Sequence, residues 1–256
     1  MDLGLKLAGK RVLITGASSG LGAHFALLAA SCGAHVAVAA RRVDRLENFV
    51  KRLTEAGAAS ATAFALDVTD PQSVTTCVED VFENLGGLDV LVNNAGISGL
   101  GFSLDMTAAD YDRVLDTNLR GVWLMAVEVA RHWSEAGSGG NIINIASILG
   151  FRVGKALTAY AMSKAGVVQM TKALALEWGR HGIRVNALAP GYFITEMNEE
   201  FLTSEEGMKS FAANPIKRPG DLTELNGPFL LLATDASSFM TGTTIPVDGG
   251  HLVTSL

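Results

Sequence analysis

The sequence predicts a single doubly wound α/β domain, a seven-stranded parallel sheet with helices on both faces. Three observations carry this reading. Short apolar runs of about five residues alternate with longer stretches of helical spacing along nearly the whole chain. The short runs are almost continuously apolar instead of alternating, as strands covered on both faces require. No stretch rich in Pro, Gly or Ser divides the 256 residues into parts, so residues 1–256 read as one domain.

The elements follow in order. Arg11–Thr15 is a β-branched run that passes through a glycine turn into a helix over Leu21–Cys32. His35–Ala39 is the second strand and Val43–Ala56 its following helix. Ala61–Leu66 leads to a helix over Gln72–Leu85, where Asp70 and Pro71 supply an N-cap and a first-turn proline. Val90–Asn93 precedes a long apolar-periodic helix, Ala109–Trp133, and Asn141–Ala146 precedes another, Ala156–Arg180. Arg184–Leu188, a helix over Leu222–Ala233 and a last strand, Thr243–Val247, complete the alternation. One long irregular region remains, at about 191–220, with charges, Met197, Met208 and prolines 190, 215 and 219. Long loops of this kind in compact domains are functional lids or disordered segments, and a substrate lid is the expectation.

Composition excludes several classes. Hydrophobic residues make up 48% and charged residues 18%, enough apolar surface for a sizeable core. No apolar run reaches the length of a membrane span. The formal charge of −6 argues against a nucleic-acid partner, which needs a basic footprint. Cys32 and Cys77 form neither a disulfide framework nor a metal spacing, and five scattered histidines show no ligand pairing, so no metal is expected. Met1 to Lys6 does not place a basic segment before an apolar stretch, and Thr254-Ser255-Leu256 is not the usual peroxisomal tripeptide. A cytoplasmic protein is expected.

Candidate chemistry begins at Thr15-Gly16-Ala17-Ser18-Ser19-Gly20-Leu21-Gly22, between a strand and a helix. Glycines there permit a tight turn and close approach of backbone to a pyrophosphate at a helix N-terminus. The spacing is Gly-x3-Gly-x-Gly, and by itself it is compatible with a plain turn. Tyr160 and Lys164 stand four apart on one helix face. A phenol titrates near 10, and a nearby ammonium favours its ionised form. Alone, however, the two describe no more than a surface pair. Ser147 closes the strand Asn141–Ala146, at the end where such sheets place ligand groups, although it also suits a turn. Asn118 lies inside a long helix, where asparagine is a poor fit.

Taken together and in order, Thr15-Gly16-x3-Gly20-x-Gly22, Asp67-Val68, Asn93-Asn94-Ala95-Gly96, Asn118, Ser147, Tyr160-x3-Lys164, Pro190-Gly191 with Thr195, and Val247-Asp248-Gly249-Gly250 resemble the short-chain dehydrogenase/reductase family of about 250 residues. The resemblance runs from Lys10 to Gly250. It implies a Rossmann-like fold and an oxidoreductase that interconverts a carbonyl and an alcohol through a nicotinamide cofactor. It assigns Tyr160 as acid/base, Ser147 as the group that holds the substrate oxygen, and Lys164 as the cation that lowers the Tyr160 pKa and binds the ribose. Asn118 becomes a helix distortion holding a proton-relay water. The cofactor residues implied are Gly16, Ser18, Ser19, Gly20, Leu21 and Gly22 in the turn, Arg41, Arg42, Asp67 and Val68 beyond the next two strands, and Asn94, Ala95 and Gly96. Tyr160, Lys164, Pro190, Gly191, Phe193 and Thr195 complete the set.

The second strand ends in Ala40-Arg41-Arg42 instead of an acidic residue. An acidic group there would bind the ribose hydroxyls and repel a 2′-phosphate, whereas Arg41 can grip one. NADP (NADPH) is therefore expected over NAD, with Arg41 the larger contributor. The substrate is a small carbonyl or alcohol. A 3-oxoacyl-carrier-protein (or acyl-CoA) reductase is the alternative within enzymes, although the loop Ser134–Gly140 carries no Lys or Arg for docking, with Arg131, Arg152 and Lys155 nearby in sequence. A non-catalytic dinucleotide-binding regulatory protein is the alternative of another class. The resemblance also implies a homotetramer paired through the two long helices and the C-terminal strand region, with a dimer as the alternative.

Overall fold

In a computed structural model that describes residues 6–195, 198–209 and 211–254, seven parallel strands form one sheet in the order β3-β2-β1-β4-β5-β6-β7. They are β1 (Arg11–Thr15), β2 (His35–Ala40), β3 (Ser60–Ala65), β4 (Val90–Asn93), β5 (Gly140–Ile145), β6 (Ile183–Pro190) and β7 (Thr244–Val247). Met197, the first five residues and the pair Ser255 and Leu256 lie outside the described residues.

The sheet is covered on both faces. On one lie α1 (Gly20–Ser31), α2 (Val43–Glu55) and α9 (Asn226–Ala233), whose Phe25, Leu46, Leu53 and Phe229 pack with Val12, Ile14, Val36 and Val38. Phe25 of α1 stacks on Phe229 of α9 with ring centroids 4.6 Å apart. On the other lie α3 (Pro71–Leu85), α5 (Gly121–Ala136) and α6 (Thr158–Trp178), whose Val78, Met125, Trp133 and Leu174 pack with Leu13, Ala37 and Leu91. Successive residues of β1 thus feed opposite cores, which is why the strand is apolar without alternation.

Local sequence sets the element ends. Asp70 accepts the Gln72 amide at 3.0 Å, so α3 begins one residue earlier than its spacing predicts, at Pro71. Thr107 and Asp110 form a reciprocal cap on α4 (Ala108–Leu115). The predicted helix Ala109–Trp133 is not continuous: α4 and α5 are joined by a π-helical segment, Asp116–Arg120. The second long helix starts two residues late, at Thr158, and ends in a 3-10 turn over Gly179–His181. The last predicted helix opens as a 3-10 turn, Leu222–Leu225, before α9. The region expected to be irregular contains α7 (Glu199–Thr203) and α8 (Glu205–Lys209), each with two glutamates in its first turn, a favourable end for negative charge.

Candidate active site

The chain order reverses between β1 and β4, and the strand C-termini there open a crevice that the predicted residues surround. Its floor is a fixed junction. The Thr15 hydroxyl accepts the backbone N–H groups of Asn94 and Ala95, each at 3.1 Å, while the Asn94 side-chain amide donates to the carbonyls of Thr15 and Gly16. Gly16 has a φ of +65°, and a Cβ on it would lie 2.7 Å from Ala95 Cα. A Cβ on Gly22 would collide with the Asn94 amide and the Gly16 carbonyl. These glycines are therefore needed for close approach, beyond any permissive turn. Ser18, Ser19, Gly20 and Leu21 run from the turn into the first residues of α1. Gly16–Gly20 also fits the Gly-x-Ser-x-Gly pattern of hydrolase nucleophiles. Among the described residues, though, the partner of the Ser18 hydroxyl is Arg42 Nη2 at 3.4 Å, not a histidine.

At the next strand ends, Arg41 and Arg42 are exposed. Asp67 accepts the Thr69 N–H at 3.0 Å and its hydroxyl at 2.8 Å. Those bonds, with the Arg41 charge, hold its carboxyl below the usual range. Val68 is buried beside it.

Asn118 is fully buried within the π-helical segment, so the misfit read from its position is a real distortion. Its side chain accepts the Ile97 N–H at 2.8 Å and donates to the Ile97 carbonyl and the Ser163 hydroxyl. Ile97, which follows the Asn94–Gly96 turn, is thereby held at both backbone groups, and a Cβ on Gly96 would sit 3.3 Å from Asn118 Oδ1.

Ser147 is buried at the end of β5, with its oxygen accepting the Leu149 N–H at 3.1 Å. Tyr160 and Lys164 share the inward face of α6, the Lys164 nitrogen 5.6 Å from the phenol ring centre. Burial pushes the Tyr160 phenol up, a hydrogen bond with Ser147 pulls it down, and Tyr192 pushes it up again. The downward pull expected of Lys164 is not what sets that direction. The ammonium is directed instead to the Ile145 carbonyl at 2.8 Å, and burial lowers its own pKa to about 8.

Pro190 ends β6, and Gly191 follows where a Cβ would stand 2.8 Å from Asp248 Cα. Phe193 is buried in the core and bridges to Gly220. Thr195 is tied by its N–H to Asn198 Oδ1 at 2.8 Å. Three residues outside the predicted set also join this end of the sheet. Arg152 reaches the C-terminal segment, Asn214 is buried, and His251 lies with its ring centroid 5.5 Å from that of Tyr192. No spacing in the sequence links positions 152, 214 and 251. Among the described residues, no group of three His, Cys, Asp or Glu side chains could hold a metal ion, and no helix is long and apolar enough to cross a membrane.

Comparison with known proteins agrees with this geometry. A family model described as enoyl-(acyl carrier protein) reductase matches residues 16–251. The chain is 36% identical to a gluconate 5-dehydrogenase of Gluconobacter oxydans over 96% of each chain. It is 37% identical to a 3-oxoacyl-acyl-carrier-protein reductase of Thermotoga maritima, covering 97% of this chain and all of that one. The structure superposes with a TM-score of 0.93 on a gluconate 5-dehydrogenase from Burkholderia cenocepacia solved with NADP and tartrate, at 33% identity over 99% of this chain and 98% of that one.

Proposed function

The chain belongs to the short-chain dehydrogenase/reductase family, and on that premise we propose that it is an NADP(H)-dependent oxidoreductase interconverting a ketone and a secondary alcohol, with Tyr160 as acid/base. The observation that carries this reading is the convergence at β5 and α6: a phenol whose ionised form Ser147 favours, beside a buried ammonium 5.6 Å from its ring centre. When bound, the nicotinamide supplies or accepts the hydride.

The residues present fit such a cofactor. The turn Gly16–Gly22 is packed against Asn94 and Ala95 so closely that only glycine fits at 16 and 22, which brings its backbone and the first turn of α1 to the crevice. Lys164 is a buried cation whose acceptor is a neutral carbonyl. Gly16, Ser18, Ser19, Gly20, Leu21 and Gly22 would hold the pyrophosphate. Arg41 and Arg42 would take a 2′-phosphate, with Asp67, Val68 and Asn94 to Gly96 along the crevice and Pro190, Gly191, Phe193 and Thr195 beyond it. Ser147 orients the substrate oxygen while Tyr160 gives it a proton in reduction and removes one in oxidation. Lys164 stabilises the ionised phenol between those events, and Asn118 holds Ile97, which follows the Asn94–Gly96 turn, in position. The segment 191–220 acts as the lid over the substrate.

The test is turnover of a ketone panel followed by NADPH absorbance. Tyr160→Phe should abolish turnover and leave NADPH binding intact, because only the transferable proton is lost; Lys164→Ala should impair both. Tight NADPH binding with no turnover on any carbonyl would favour the dinucleotide-binding regulatory protein. The identity to an acyl-carrier-protein reductase supports that activity as a second reading. Against it, Arg152 turns inward and the exposed Arg131 is neutralised by Glu128 at 3.0 Å, which reduces the positive charge a docking surface there would offer.

We place the protein in the cytoplasm as a homotetramer. Cys32 and Cys77 are free thiols. Trp123 on α5, Met162 and Leu176 on α6, and Phe239 and Val253 near the C-terminal strand are exposed apolar side chains that partner subunits would cover. Light scattering giving a monomer at micromolar concentration would contradict this assembly.

A further inference from the structure

Arg152 lies five residues beyond Ser147, in the loop that leads to α6. Its side chain turns toward the C-terminal segment, where Nη1 donates to the Thr254 hydroxyl at 2.6 Å and to the His251 carbonyl. Both acceptors are neutral. Arg152 makes no ion pair with any described residue, whereas Arg11, the partly buried guanidinium at the start of β1, is matched by Asp89 at 2.8 Å. Beside it, His251 Nδ1 stands 3.2 Å from the Asn214 side-chain nitrogen. Asn214 donates in that pair, so the neutral ring carries its hydrogen on Nε2. Burial and the Arg152 charge both push the His251 pKa down, so the ring is held in this donor form. Tyr192, Asn214 and His251 line a cavity of about 260 Å³, and Tyr192 acts electrostatically on Tyr160. Two carboxylates also line this cavity, and both are engaged: Asp248 by the backbone N–H groups of Gly250 and Leu252 at 2.9 and 2.7 Å, and Glu224 by Arg218 at 2.8 Å. β5 and β6 run parallel with Ile145 opposite Leu188, so Ser147 and Tyr192 leave the sheet at the same end and the cavity lies on the side of the reacting pair.

We infer that Arg152 selects the substrate: held by Thr254 and the His251 carbonyl, it receives a carboxylate carried by the carbonyl compound, while His251 Nε2 and the Tyr192 hydroxyl bind hydroxyl groups next to it. The substrate class is an oxo acid or its hydroxy acid. The geometry that favours it is a cation with no carboxylate partner among the described residues, beside hydrogen-bond donors at the catalytic end of the sheet. This inference rests on the reading of Ser147 and Tyr160 as the reacting pair.

The experiment compares kcat/KM for 4-oxopentanoate and 5-oxogluconate with that for their methyl esters, using NADPH. The parent should prefer each acid by roughly tenfold to hundredfold, the value of a charge-assisted bond, with KM for the acid alone rising with salt. Arg152→Met should bring the acid-to-ester ratio close to one, and Arg152→Lys should restore part of it. A parent ratio near one refutes the inference. So does an Arg152→Met protein that loses acid and ester turnover equally, for Arg152 would then only tie down the C-terminal segment. If that variant does not fold, the ratio and salt dependence of the parent decide. Turnover favouring neutral alkyl ketones refutes the inference alone and points to the exposed Leu100, Phe102 and Val153 of the adjoining loops. A parent inactive on acids, esters and alkyl ketones alike overturns the catalytic reading as well.

Discussion

Lys164 should leave a signature in the pH dependence of stability. The ammonium is buried, with one carbonyl as its acceptor, and its pKa falls from 10.5 to about 8. Below pH 8 the lysine is charged in both the folded and unfolded chain, and the folded state bears the full desolvation penalty. That shift corresponds to roughly 3 kcal/mol at about 1.4 kcal/mol per pKa unit. Above the folded pKa the native protein sheds the proton while the unfolded chain keeps it until its own pKa. The unfolded state then binds more protons, so stability rises with pH. Between about pH 7.5 and about pH 10 the gain is about 2 kcal/mol. Tyr160 and Tyr192, whose phenols burial pushes up, act in the opposite sense only above the ordinary phenol value, outside this window. Urea unfolding without cofactor, at fixed protein concentration and followed by the fluorescence of buried Trp133, measures the effect. Lys164→Met removes the titrating group, so the stability advantage of the variant over the parent should shrink by that 2 kcal/mol across the window. Parallel pH profiles for parent and variant would refute the reasoning.

Gly22→Ala forces a methyl group against the Asn94 amide and the Gly16 carbonyl. It should destabilise the chain by about 1–3 kcal/mol and weaken NADPH binding at least tenfold by titration; normal binding would exclude close approach at this turn. Arg41→Ala should lower the NADP-to-NAD ratio of kcat/KM by roughly tenfold to hundredfold, and Arg42→Ala, whose guanidinium is drawn toward Ser18, by less. A parent that prefers NAD would overturn that assignment.

The sheet was legible because its strands are covered on both faces: Val12, Leu13 and Ile14 are all fully buried, and the resulting apolar run stands out from the polar turns beside it. The distortion at Asp116–Arg120 was anticipated at Asn118 alone, and its extent was not legible. Its flanks, Val114 and Val122, keep an apolar face in register through the extra residue, and only the presence of Asn118 betrays it. Much of the crevice was readable because each motif sits at the end of a recognisable strand. Arg152, Asn214 and His251 were not, since the bond from Arg152 to Thr254 spans 102 residues and leaves no local pattern. The pull on Tyr160 was anticipated from Lys164, but chain spacing carries no information on the Ile145 carbonyl that takes the ammonium instead.

The junction between Thr15 and Asn94 bears on how the chain acquires its form during synthesis. The bonds that fix the glycine turn reach across 78 to 80 residues, and Gly16 itself has room only for the backbone of Ala95. A ribosome that has released only β1, α1 and β2 has therefore made a turn with no floor. Such distant pairings form late, because the intervening loop must close first. The nascent protein becomes able to shape its crevice only once β4 has left the exit tunnel and slotted in beside β1. Until then the exposed edge of β1 is a template for wrong strand pairing, and the order in which strands emerge, β2 and β3 before β4, fills the other edge first.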